Sequence, residues 1–268
     1  MNFLTHPAFS SFEPSVRERL VARGEIPSPD ELGALMRDVP SARQPWFEFE
    51  LQDEARVRAA GGFDRYIAET ARIPTRKDSF HDLFGALIWL HFPKLKTAIH
   101  QVQLAAEPSV RGARQHAATH FDESGVIVAS TDERVFRAIA ELDWPGLFWQ
   151  RREALRASTR FLCFGHGLLD ALREPHPKIL GMAWFARVSA AQFELGASEL
   201  RGFLDRELSQ RASAFLCEPA QLSPLPALGI PNWASPQTPE FYANEAYFRR
   251  ARQRPKASTG ASFVELAP

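Results

Sequence analysis

The run Leu83–Leu90 (LFGALIWL) constrains this chain more than any other segment. It is apolar all round, so a helix built from it has no face for water and must be buried on nearly every side. It is also far too short to span a bilayer. The residues leading into it, IPTRKDSFHD from Ile73, place Arg76, Asp78, His81 and Asp82 within seven residues at the mouth of that helix. Polar groups pressed against a buried element are either satisfied by local partners or put to use.

The 268 residues suffice for one large domain or two small ones with a substantial core. Apolar residues make up 45% and charged residues 24%, as in ordinary globular proteins. The 32 basic and 32 acidic residues cancel, which removes the bulk electrostatic case for binding nucleic acid or an anionic membrane. The two cysteines, Cys163 and Cys217, sit in apolar contexts without CxxC spacing, so free thiols in a reducing compartment are expected rather than a disulfide or a zinc site. The N-terminal residues lack a basic start followed by an apolar run, and a soluble, cytoplasmic protein is expected.

Along the chain, Ser28 predicts a capped helix through Val39. Helical patterns follow at Asp53–Ala60 and Gly62–Thr70, and then at Phe80–Gln103 with a break or kink at Pro93. Residues 116–130 (HAATHFDESGVIVAS) predict two short strands joined by a turn at Asp122–Gly125. Helices are predicted at Asp132–Leu142, Pro145–Arg156, Thr159–Arg173 and Ala197–Ser213, while Leu180–Val188 reads equally as strand or buried helix. From Glu218 proline is dense, and Trp233, Phe241, Tyr242, Tyr247 and Phe248 predict an extended segment anchored back on the domain. The expected architecture is a single helix-rich α+β domain over residues 1–254, with a small β-hairpin or sheet, a proline-rich C-terminal segment packed on it, and a frayed tail at 255–268.

Three clusters could carry chemistry. Ser79 can cap the buried helix with Asp82 in the acidic position of a capping box, which explains Asp82 structurally. His81 is harder to explain by packing alone, and Arg76 and Asp78 beside it could orient it or grip an anion. On a strand, His116, His120 and Asp122 share one face, with Glu123 opposite; imidazoles with a carboxylate suit zinc, iron or manganese, and a solvated face ending in a turn is the plain alternative. His166 and Asp170 lie one helical turn apart, a buried structural pair or a ligand with its supporting carboxylate. Gly165 and Gly167 on either side of that histidine imply close approach to the backbone. Arg151, Arg152, Arg156 and Arg160 follow an aromatic cluster, but their spacing is that of an ordinary amphipathic face rather than a single-strand binding surface.

Six ordered blocks, PTR at Pro74, HDLF at His81, FDESG at Phe121, FGH at Phe164, LGIPNW at Leu228 and the FY...YFRRAR close from Phe241, resemble the bacterial family called domain of unknown function 3025, over about Phe47–Arg252. The resemblance implies no activity. This chain departs from the family pattern with Gly85 in place of asparagine, His116 in place of aspartate and His120 in place of an apolar residue.

The residues together predict a metal-assisted hydrolase. His81, Asp82, Asp122 and His166 would converge on one cleft, with His81, Asp122 and His166 as ligands of zinc, iron or manganese. His81, Asp82 and Glu123 are the candidate catalytic groups. Arg76 and Arg114 would hold a small anionic substrate, a phosphoester by preference. The alternative is a non-catalytic binding protein in which the same His, Asp and Arg residues form a structural network.

Overall fold

The structure is a computed structural model that describes residues 1–39, 46–105, 112–249 and 263–266. Helices α1 (Pro14–Arg23) and α2 (Pro29–Leu35) open the chain; the helix predicted from Ser28 ends at Leu35 and passes into a 3-10 turn at Met36–Asp38. Strand β1 (Glu48–Leu51) is followed by α3 (Glu54–Ala59), α4 (Phe63–Thr70) and β2 (Arg72–Thr75), which pairs parallel with β1. Asp53 caps α3 by accepting from Ala55 N at 2.9 Å. Gly62, at φ +124°, makes the turn between the two helices that other residues would resist.

The apolar run forms α5 (Phe80–His91), and Pro93 splits the predicted long helix into α5 and α6 (Pro93–Leu104). Leu83, Phe84, Leu87, Ile88 and Leu90 are fully buried. His91 closes α5: Nδ1 donates to Leu87 O (2.8 Å) and Nε2 accepts from Glu13 N (3.0 Å), tying the N-terminal segment to the core helix.

The hairpin predicted at 116–130 is corrected. Residues Ala113–Ser124 form helix α7, and only Gly125–Ser130 is a strand, β3. Ala117, Ala118 and Phe121, spaced as one helical face, are buried, and this burial overrides the period-two reading of the histidines. His116 and His120 consequently point to solvent, away from Asp122.

Next come α8 (Glu133–Ala140), a π-helical turn at Pro145–Gln150, α9 (Arg152–Ser158), β4 (Thr159–Cys163) and α10 (His166–Ala171). The helix predicted at Thr159–Arg173 is thus a strand, a break at Gly165 and a short helix. Thr159–Cys163 pairs antiparallel with β3, for which Thr159 and Phe161 are well suited. The ladder matches Val126 with Cys163 at one end and Ser130 with Thr159 at the other. The ambiguous segment is strand β5 (Leu180–Arg187), parallel to β3. Helices α11 (Ala190–Phe193) and α12 (Ala197–Phe215) follow, then β6 (Ser223–Pro226) and α13 (Pro239–Tyr242). The sheet runs β4-β3-β5-β6, and Phe263–Glu265 adds β7 beside β5, so this part of the expected frayed tail is a strand; 255–262 and 267–268 lie outside the described residues.

The proline-rich segment is folded back as predicted. Trp233, Tyr242, Tyr247 and Phe248 are buried, and Tyr247 Oη donates to Ile179 O at 2.7 Å. The fold class is helix-rich α+β. Both cysteines are free; Cys163 lies on a strand rather than a helix, and burial pushes its thiol far up. No helix among the described residues is long and apolar enough to cross a membrane.

Candidate functional site

A cavity of about 350 Å³ opens between α4, β2, α5, α6, α7 and α10. His81, Asp82, Asp122 and His166, expected from sequence to converge, all line it, as do Arg76 and Glu123. The partners of Asp82, Asp122 and Glu123 differ from the expected ones.

Ser79 caps α5 as anticipated, its Oγ accepting from Asp82 N at 3.2 Å. Asp82 does not reach back as a capping-box partner. Its Oδ2 accepts from Arg76 N (2.6 Å) and Nε (2.9 Å), and its Oδ1 from Arg76 Nη2 (2.7 Å). Burial alone would raise the Asp82 carboxyl, but the guanidinium and N–H of Arg76 hold it below the usual carboxylate range. Asp82 is therefore a poor proton acceptor, and it takes up the Nε–Nη2 edge of the Arg76 guanidinium. Arg114 lies outside the cavity wall, in the first turn of α7, with Nη2 3.7 Å from Cys217 Sγ.

Asp122 is buried and ion-paired with Lys96 of α6. Desolvation works to raise its carboxyl, and Lys96 followed by His166 pulls it down, leaving it ionised. Its backbone carbonyl, an unpaired group in the last turn of α7, accepts from His166 Nδ1 at 2.8 Å. The carboxylate that joins the imidazoles is Glu123, one residue on: because α7 remains helical to Ser124, Glu123 turns toward the cavity instead of away from it. Asp170, the expected partner of His166, instead binds Arg173 at 2.9 Å.

His81, Glu123 and His166 each present one ligand atom, and the three atoms lie within 4.8 Å of one another. The two imidazole rings meet edge to face, 4.5 Å between centroids. His166 Nε2 is 3.5 Å from Glu123 Oε1, close to the spacing of about 3.4 Å between two ligands of a tetrahedral zinc ion. A carbonyl can only accept, so His166 Nδ1 carries a proton and the neutral ring's Nε2 presents a lone pair to the carboxylate. Burial keeps His166 from becoming a cation to ease this; the carboxylates of Asp122 and Glu123 oppose that shift without reversing it.

Sequence reasoning missed one contributor and left the partner of another unnamed. Lys96, which the sequence analysis did not single out, is the buried counter-ion of Asp122. Gly167 leaves room for the Glu123 carboxylate: a Cβ there would sit 2.4 Å from Oε2 and 3.1 Å from the backbone oxygen. Gly165 similarly admits the Ser124–Gly125 backbone, with a Cβ only 2.4 Å from Gly125 N. The glycines flanking His166 were the signal, and what approaches them is the end of α7.

No curated protein and no solved structure matches the chain. A family profile described as "Protein of unknown function (DUF3025)" matches residues 47–252, a span that holds every residue of the cavity cluster. The chain belongs to that family.

Proposed function

We propose that this protein is a metal-dependent hydrolase, with His81, Glu123 and His166 holding one divalent ion. The observation that carries the reading is the fixed tautomer of His166. Its Nδ1–H is committed to the Asp122 carbonyl, so a lone pair on Nε2 faces a carboxylate 3.5 Å away, with a second imidazole alongside. Electron-pair donors gathered without a proton between them are stabilised by a cation. Two imidazoles and one carboxylate leave a position open, and a divalent ion there supplies Lewis-acid activation of water. Zinc, iron and manganese all suit this donor set.

The surrounding residues supply rigidity. Lys96 neutralises Asp122, which orients His166 through its backbone; Arg76 fixes Asp82 and with it the first turn of α5, which bears His81. Arg76 lines the cavity and Arg114 does not, so the two arginines do not form one clamp and the proposal rests on the hydrolytic centre alone. Two unbridged thiols fit a reducing, cytoplasmic setting.

Metal analysis of the purified protein, after chelation and reloading with zinc, manganese or ferrous iron, tests the reading. One ion per chain is expected, lost on His81→Ala, Glu123→Gln or His166→Ala with the circular dichroism spectrum unchanged. Protein that takes up no ion, or that unfolds on each substitution while metal-free, fits the structural network and refutes the hydrolase.

A further inference from the structure

Gly85 lies in the middle of α5, where glycine is costlier than alanine because the unfolded chain has more freedom to lose. Neither backbone nor packing demands it. Its φ is not in the left-handed region. Apart from its chain neighbours and its own helical backbone, a Cβ built there would meet a single atom of the described residues within 4 Å. That atom is His166 Cδ2, at 3.9 Å, an ordinary contact. At Gly165 and Gly167 a Cβ would collide at 2.4 Å. The space that Gly85 opens belongs to the cavity.

That space borders the proposed metal centre. His81, Gly85 and Trp89 recur every four residues as one stripe of α5, and all three line the cavity. Side chains on a helix lean toward its N-terminus, so a group at position 85 would lean toward the turn that bears His81. In the His166 ring Cδ2 is bonded to Nε2, the nitrogen assigned to the ion, so the atom overlooking Gly85 is one bond from a ligand. Ala86 and Trp89 continue the floor without a charge, and β2, packed against α5, adds Ile73 and Pro74 to the wall. A substrate whose oxygen takes the open position on the ion places its adjoining substituent beside the ligands. Over Gly85 that substituent finds room and no side chain.

We propose that the recess over Gly85 takes an apolar acyl or aryl group on the bond hydrolysed at His81, Glu123 and His166, and that the missing side chain sets how large that group can be. This rests on the metal-centre reading above, which zinc content and azide binding at the open position decide separately. On the zinc-loaded full chain, calorimetry compares azide, which fills the open position alone, with acetohydroxamate and benzohydroxamate, which add a methyl or a phenyl group. In the wild type the phenyl probe is expected to bind about tenfold more tightly than the methyl probe, the yield of burying roughly 55 Å² of apolar surface. Gly85→Leu should remove that advantage with zinc content and azide affinity unchanged. Gly85→Ala, which introduces no clash and favours the helix, should raise the urea midpoint and remove part of the advantage; it carries the test should Gly85→Leu not fold. Equal affinity of the two hydroxamates for the wild type, an advantage undiminished in the folded variants, or azide affinity that falls as far as that of benzohydroxamate overturns the proposal. Zinc uptake without these differences sinks the recess alone, and no uptake sinks both.

Discussion

Replacing Lys96 with methionine isolates the pair on which the site is built. The Lys96 and Asp122 side chains are 8% and 11% exposed, so neither charge is well solvated without the other. Methionine preserves the packing against Trp89, whose ring lies 5.6 Å from Lys96 Nζ, but strands the Asp122 carboxylate. Breaking a buried pair on one side costs about 3–5 kcal/mol, because an uncompensated charge remains. Asp122→Asn removes that charge, so in the double variant the penalty of Lys96→Met should shrink by about 2 kcal/mol or more. Urea denaturation of the wild type, both single variants and the double variant yields this coupling directly. The cycle also separates two roles for Asp122. If its carboxylate only balances Lys96 and its carbonyl orients His166, Asp122→Asn keeps the metal while Glu123→Gln loses it. Additive single effects, with coupling below about 0.5 kcal/mol, or metal lost on Asp122→Asn, would refute this account of the site.

Gly167→Ala should push the Glu123 carboxylate aside and weaken metal binding by about 10–100-fold, as loss of a supporting contact does, while circular dichroism stays native; unchanged affinity in a competition titration rules out the steric role. Ser79→Ala removes the cap of α5 at a cost of about 1 kcal/mol, readable as a lower urea midpoint, and an unchanged midpoint contradicts it. Burial pushes the His91 imidazole down to about 3, and it is neutral in the fold with both nitrogens bonded. The unfolded chain takes up that proton below about pH 6.5, so this contribution is present above that pH and lost as pH falls toward 3. Between pH 6.5 and 4.5 the wild type should lose about 2–3 kcal/mol more than His91→Gln; parallel pH profiles from urea melts argue against a neutral buried ring.

Leu83–Leu90 made the central helix legible because an all-apolar surface has only one environment available to it. Pro93, Ser79 and Asp53 marked helix boundaries for equally local reasons, a missing N–H or a side-chain acceptor. The misreadings at 113–124 and 159–173 arose where tertiary packing decides. Ala117, Ala118 and Phe121 select a helix only because a core exists to receive them, and Thr159–Cys163 becomes a strand only because β3 lies beside it. His81 and His166 were identifiable as polar intrusions into apolar surroundings. Glu123 rather than Asp122 lies beside the imidazole pair because one residue's difference in a helix turns a side chain by about 100°, which composition cannot reveal. Lys96 was hidden for a related reason: nothing in KLKTAIHQVQ states that its ammonium is roofed by α7.

The ladder joining β3 to β4 has a consequence for how this centre tolerates change. Glu123 stands three residues before Val126 and His166 three residues after Cys163, the pair that closes the ladder, so the two donors are the symmetric overhangs of one antiparallel couple. Their separation is inherited from strand alignment. Residues 131–158, which link the strands on the far side, can lengthen or be rebuilt while the donors keep their spacing, whereas a single residue inserted within either strand would pull them apart. The proposed chemistry and the sheet geometry are therefore one constraint here, and variation has its freest ground at the opposite end of the hairpin.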